Sequence, residues 1–300
     1  MLFFHGEPSM KPNQSSTTAE NNALLRLHES MRPDNERICN DPYAAFFLPD
    51  GVIDAPDRNE QIQQVIRNWE THFPGVSNAI VARTRFIDDC LEAAIVDGIR
   101  QLVILGAGYD TRAMRFKALK ESVTVFELDH PSTQNKKLER IENDLKEDLS
   151  HVRYISIDFS KEDLANKLFA YGYNETLKTL FIWEGVTYYI PASAVDQTLS
   201  FISHYSPSRS NVIFDYFPST VADGTTEIAE ARALCDGLRR IEEKIVFGIS
   251  PSRINEFMQV RGFSVIQNLT VEDYRKTYFN GVNKSRTVSE MFIFVQANVL

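Results

Sequence analysis

Two closely spaced glycines followed by acids at successive apolar run ends are the residues of this chain whose types and spacing could do chemistry. The run Leu105-Gly106-Ala107-Gly108-Tyr109-Asp110-Thr111-Arg112 carries them. Gly106 permits a tight turn, and Gly108 lets a ligand approach the backbone closely. A dinucleotide fingerprint wants a third Gly or Ala where Thr111 stands. Taken alone, Gly-x-Gly fits a plain strand-to-helix turn equally well. The acids narrow the choice. Glu127 and Asp129 follow the glycines by about 20 residues, where an acid accepts hydrogen bonds from ribose hydroxyls. A period of two places both on one face, and at least one is expected to be a solvated strand end. Asp158 can receive an adenine amino group while Phe159 packs on the ring. Glu184-Gly185 ends another apolar run. Acids at these ends oppose a pyrophosphate, but they suit ribose, adenine amine, α-ammonium and sulfonium groups.

Such residues must be held at one edge of a sheet. QLVILG (101–106), VTVFELD (123–129), VRYISID (152–158), TLFIWEG (179–185) and NVIFDYF (211–217) read as strands, being β-branched or aromatic-rich and bounded by polar stretches. Continuous apolar runs fit strands covered on both faces. Helical segments at 131–148, 161–170 and 191–205 lie between them. The alternation predicts a doubly wound α/β sheet, with ligands outside the C-terminal strand ends. A helix at 250–261, then FSVIQNL (263–269) and SEMFIFVQANVL (289–300), would complete seven strands, mostly parallel, with the last antiparallel. Before the first strand, Ile80, Thr84, Ile87, Leu91, Ala94 and Ile95 recur at helical spacing over 78–97, and Gly98 closes that helix. Residues 1–18 read as a flexible arm and 19–300 as one domain. Within it, 19–78 form a helical cap, 79–217 the cofactor-binding core, 218–248 a lid or acceptor-site insertion, and 249–300 the closing helix and strands. Residues 270–288 read as a further insertion.

Bulk properties exclude several classes. The net charge is −9 and the pI about 5.3, whereas a phosphate-tracking protein usually shows a basic face, so nucleic acid is not an expected partner, although an acidic mean leaves room for a local basic pocket. Cys39, Cys90 and Cys235 are far apart and odd in number, which gives neither a disulfide framework nor a zinc site. Reduced thiols fit a cytoplasmic protein. The opening MLFFHGEPSM has too short an apolar run for a signal peptide, and no stretch nears the roughly 20 apolar residues of a membrane helix.

Four motifs, in order, resemble the leucine carboxyl methyltransferase family, and its bacterial small-molecule branch most closely. They are Arg83-Thr84-Arg85-Phe86-Ile87-Asp88-Asp89, Gln101 to Arg112, Phe126-Glu127-Leu128-Asp129-His130-Pro131, and Glu184-Gly185-Val186-Thr187-Tyr188-Tyr189-Ile190. The resemblance covers about residues 79–216. It implies a class I, Rossmann-like methyltransferase fold with S-adenosylmethionine as methyl donor, leaving S-adenosylhomocysteine, and a small-molecule acceptor. It implies that Arg83 meets the donor's carboxylate, that Gly106 lies against the donor, that Asp129 holds the ribose, that Asp158 and Phe159 surround the adenine, and that Glu184 stands near the amino group. Arg83 is placed away from the core stripe of its helix, reaching the donor from above under a mobile N-terminal region. Tyr109 replaces the family's usual Leu or Met. The protein-phosphatase substrate of the eukaryotic branch does not carry over.

Other residues read as structural. His130 caps a helix or packs, since Pro131 opens one there. Arg112 and Arg115, a helical turn apart, pair with surface acids. Asp88-Asp89 serves a cap or salt bridge. The run KKLERIENDLKED (136–148) is a solvated helix face, and Trp69 and Trp183 are packing residues. No histidine spacing suggests a metal. Displacement from a sulfonium needs no acid, and an ionised carboxylate acceptor needs no base. A phenol or alcohol would want a base, and none is evident, which favours a carboxylate. Tyr188, Tyr189 and Tyr216 are candidate walls of the acceptor pocket. A phenol or alcohol O-methyltransferase, a nicotinamide oxidoreductase and a non-catalytic donor-binding protein stay open as alternatives.

Overall fold

A computed structural model describes residues 16–48, 52, 55–145, 147–159, 161–240 and 244–300. The strands are β1 (Gln101–Leu105), β2 (Thr124–Asp129), β3 (Val152–Ser156), β4 (Thr179–Trp183), β5 (Asn211–Tyr216), β6 (Phe263–Leu269) and β7 (Ile293–Val299). Ahead of β1 lie α1 (Thr17–Ser30), α2 (Arg58–His72) and α3 (Val76–Val96). Between β1 and β5 lie α4 (Arg112–Arg115), α5 (Lys117–Ser122), α6 (Pro131–Asp144), α7 (Leu164–Ala170) and α8 (Ala192–His204). After β5 come α9 (Ser219–Ala222), α10 (Ala229–Arg240), α11 (Ile254–Gln259) and α12 (Val271–Tyr278).

Alternation along each central strand builds a core on either side of the sheet. Leu102 and Ile104 face one core with α3, while Val103 and Leu105 face the other with α8. The four are at most 2% exposed, which is why β1 reads as one apolar run. The sheet order is β3-β2-β1-β4-β5-β7-β6. β1 pairs in parallel with both β2 and β4, and β7 runs antiparallel between β5 and β6. The chain therefore winds outward to β3, then restarts at β4 on the other flank of β1. That reversal opens a crevice at the C-terminal ends of β1 and β4. The seven-stranded, mostly parallel sheet matches the sequence expectation, including the antiparallel last strand.

Several boundaries differ. Of the arm read at 1–18, residues 1–15 lie outside the described residues. Ser16 to Thr18 are no arm: Ser16 caps α1 by accepting the Ala19 N–H at 3.2 Å. The stretch 270–288 contains α12, started by a capping box in which Thr270 and Asp273 satisfy each other's backbone. The helix expected over 250–261 is a 3-10 turn at Pro251–Arg253 followed by the short α11. Gly98 does close α3, at φ 78°, with Ile99 N–H returning to the Ala94 carbonyl at 3.1 Å. Among the described residues no helix is long and apolar enough to cross a membrane.

Candidate cofactor and acceptor site

The crevice is a cleft of about 760 Å³. Its floor is the loop after β1. Gly106 and Gly108 take φ of 67° and 48°, the left-handed region where a side chain is disfavoured. A Cβ on Gly106 would fall 2.5 Å from the Val186 methyl, and one on Gly108 would fall 3.1 Å from the Ala19 side chain. The bare floor thus fits between β1, the turn after β4, and α1.

Asp129 ends β2 beside this loop and lines the cleft. Its carboxylate accepts the Gly108 N–H and, at 2.5 Å, the His130 N–H. Burial raises its pKa, and the two backbone donors oppose that rise. Glu127, two residues earlier, does not line the cleft. It is buried against Lys137, whose ammonium also donates to the Asp110 carbonyl at 2.7 Å. Burial pushes the Glu127 carboxyl up to about 7, against the pull of Lys137. Glu127 is buried, whereas Asp129 is the partly exposed strand end, facing the cleft. The run 136–148 is not solvated throughout, since Lys137, Ile141 and Leu145 are buried. Asp158 and Phe159 line the cleft beyond Asp129, with Asp158 ion-paired to Lys161 at 2.7 Å.

Arg83 corrects the sequence reading most. It is 1% exposed and sits behind the cleft rather than above it. Its Nε donates to Glu184 at 2.9 Å and its Nη1 to Asp215 at 2.7 Å. α3 is buried on nearly every side over this stretch, so no face was left for Arg83 to reach outward. What stands over the cleft is α1, through Thr18, Ala19, Asn22 and Arg26. Arg26 is tied to Asp41 at 2.7 Å and to the Tyr109 carbonyl at 2.6 Å.

Arg112 and Arg115 are not surface residues either. Both are buried or nearly so and line the cleft. Arg112 bridges Asp88 at 2.7 Å, Asp110, and Glu184 at 2.8 Å, while Arg115 holds Asp88 at 2.7 Å. Asp88 thus serves in salt bridges, as does Asp89 with Arg85. Arg112 Nη2 is buried without a hydrogen-bond partner among the described residues. Glu184 lines the cleft with one oxygen on Arg83 and the other on Arg112. Burial pushes its carboxyl up, but the charges of Arg112, Arg83 and Arg26 outweigh this and hold it at about 2.

That value gives a pH prediction. A carboxyl lowered from its ordinary 4.5 contributes stability present above pH 4.5 and lost as pH falls through about 2. Glu184→Gln should therefore destabilise by roughly 3 kcal/mol near neutrality, since a shift of 2–3 units is worth about that much. The gap to wild type should narrow as pH falls below 4.5. Urea unfolding of both proteins between pH 7 and pH 3 measures it, and a gap independent of pH would refute the charge account.

Of the three tyrosines offered as acceptor-pocket walls, Tyr189 lines the cleft. Tyr188 is stacked on Phe217 at 3.9 Å and Tyr216 is fully buried with its hydroxyl on Asn268, so both are core. His130 caps α6 as expected, its Nδ1 accepting from Ser132 N–H, and also lines the cleft. Trp183 is a core residue. Sequence reasoning missed Asn22, Arg26, Thr133, Lys244 and Val246, all cleft-lining. The position of Arg112 and Arg115 just past the glycine loop was a usable signal. The α1 and Lys244 contacts left no local trace. The described cysteines are free thiols, and no cluster of three or more His, Cys, Asp or Glu among the described residues is placed to hold a metal.

Comparison with known proteins identifies the family and the fold. The family model described as leucine carboxyl methyltransferase matches residues 19–203. The chain is 26% identical over 306 residues to "Putative S-adenosyl-L-methionine-dependent methyltransferase YktD" of Bacillus subtilis, covering 96% of this chain and 99% of that one. It is 32% identical over 270 residues to a Mycobacterium avium protein named "Putative S-adenosyl-L-methionine-dependent methyltransferase", covering 84% of each. A solved structure of a DUF574 family protein from Streptomyces avermitilis superposes with a TM-score of 0.55 at 12% identity, covering 91% of this chain and 100% of that one, and so shares the fold.

Proposed function

Because this chain belongs to the leucine carboxyl methyltransferase family and is an S-adenosylmethionine-dependent methyltransferase, we propose that it methylates a carboxylate oxygen of a small molecule. The observation that carries this reading is the state of Glu184. It is the cleft carboxylate at the end of β4, both its oxygens accept from arginines, and its pKa is about 2. It is a poor base for a hydroxyl. Asp110 is likewise tied to Arg112, and His130 lies at the β2 end, capping α6. A carboxylate acceptor is ionised at pH 7 and asks for no base.

The cleft fits the donor by chemistry. The floor cannot accept a Cβ at Gly106 without moving Val186, Asp129 offers an anionic acceptor beside that floor, and a buried Arg112 nitrogen has no partner among the described residues. Asp129 would hold the ribose, Asp158 and Phe159 the adenine, and Glu184 the amino group. The guanidinium role that the sequence gave to Arg83 passes to Arg26 and Arg112, which line the cleft, while Arg83 positions Glu184 from behind. When bound, S-adenosylmethionine supplies a sulfonium methyl; the acceptor oxygen forms the new C–O bond as the S–CH3 pair returns to sulfur. The chain contributes alignment and exclusion of water. α1 serves as the cover, together with the stretch that brings Lys244 and Val246 to the cleft.

The test uses methyl-labelled donor with fractionated metabolite extract. Methyl esters release labelled methanol in mild alkali, whereas ethers keep the label. Base-labile product is expected; alkali-stable product alone would replace the carboxylate reading by the phenol or alcohol one.

A further inference from the structure

The cleft has two ends that differ in chemistry. Towards β2 and β3 lie Asp129, Asp158 and Phe159, matched to an adenosine. The acceptor must therefore enter from the β4–β5 end, where Tyr189, Ile190, Val246 and Lys244 form the lining. The segment carrying the last two is pinned. Val246 N–H donates to the Tyr188 carbonyl at 2.9 Å and Ile249 N–H to the Phe217 carbonyl at 3.0 Å. Gly248 lies so close that a Cβ would meet the Phe217 and Pro218 carbonyls at 2.9 Å. Lys244 is thus delivered to the rim by a backbone anchored on the exit of β5.

Its charge is unlike the others there. Arg26, Arg112 and Arg115 line the cleft already paired with Asp41, Asp88, Asp110 and Glu184. Lys244 lines it with no carboxylate partner among the described residues. We propose that Lys244 fixes the acceptor's carboxylate, and that the acceptor is a monocarboxylate whose apolar body lies against Tyr189, Ile190 and Val246. This rests on the carboxylate reading above. An ammonium is a compact point charge that can hold one carboxylate oxygen and leave the other for the methyl group. The acceptor loses its charge as the ester forms, so this contact belongs to the ground state. It strengthens acceptor binding without accelerating the transfer itself.

The test is calorimetry on the full chain saturated with S-adenosylhomocysteine, so that no turnover occurs. Octanoate and 4-phenylbutyrate are titrated against their primary amides. Wild type should bind the acids about tenfold more tightly than the amides, a difference of about 1.4 kcal/mol. K244M should abolish that preference, K244R should retain most of it, and added salt should weaken it. Equal affinity of wild type and K244M for S-adenosylhomocysteine shows that the variant is folded. If wild type prefers the acids and K244M does too, the Lys244 assignment is overturned while the carboxylate reading stands. If wild type shows no preference, or binds neither kind of probe, both are overturned.

Discussion

Arg83→Ala is expected to destabilise the fold by about 3–5 kcal/mol, the usual result of removing one member of a buried ion pair. Arg83 is 1% exposed, and its guanidinium neutralises Glu184 and Asp215, which lie on adjacent strand ends. Asp215 is fully buried and also accepts the Gly185 N–H at 2.6 Å, so its charge cannot turn to water when Arg83 is lost. Donor binding should fall too, because Glu184 would lose one of the two arginines that orient it. The discriminating measurement is a double-mutant cycle by urea unfolding. Arg83→Met with Asp215→Asn should be clearly less destabilised than the sum of the single changes, because removing both charges leaves neither stranded. Wild-type stability of Arg83→Ala together with weakened donor affinity would return Arg83 to the direct donor contact read from the sequence.

Asp129→Ala is expected to weaken S-adenosylhomocysteine binding roughly 10- to 100-fold, because a hydrogen bond to a charged acceptor contributes about 1.5–3 kcal/mol. The side chain also holds the N–H groups of Gly108 and His130, so the glycine loop and the start of α6 lose a shared acceptor. A stability loss of about 1–3 kcal/mol should accompany the affinity loss, since two backbone donors are stranded. Asp129→Asn keeps an oxygen for one of them and should fall between. Isothermal titration and thermal melting measure the two effects. An unchanged dissociation constant in the alanine variant would remove the ribose assignment altogether, as Glu127 is buried against Lys137 and outside the cleft.

The acid-rich strand ends illustrate how far charge can be read from a sequence. They suggested a negative edge hostile to pyrophosphate. In the folded protein, Asp110 and Glu184 are neutralised by Arg112, and Glu127 by Lys137. Asp158 is ion-paired to Lys161, so the selectivity argument from bare acids rests on Asp129. Tyr188 and Tyr216 show the same limit for aromatics. Their types suit a pocket wall, but Tyr188 stacks on Phe217 and Tyr216 reaches Asn268.

What this sequence determined by itself is what depends on neighbours along the chain. Apolar run lengths placed the strands, helical spacing placed α3 with Gly98 at its end, and Gly106 and Gly108 marked a loop that had to be bare. Four local motifs sufficed for the family: three are strand ends that line the cleft, and the one on α3 packs behind it. Tertiary structure decided the partners of the charges. Arg83 meets Glu184 across 101 residues and Asp215 across 132, and Arg26 meets the Tyr109 carbonyl across 83. A buried charge must be neutralised, but which opposite charge does so is set by the packing of distant elements. The same packing laid α1 across the glycine loop and brought Lys244 to the cleft, two placements that no periodicity near residues 26 or 244 encodes.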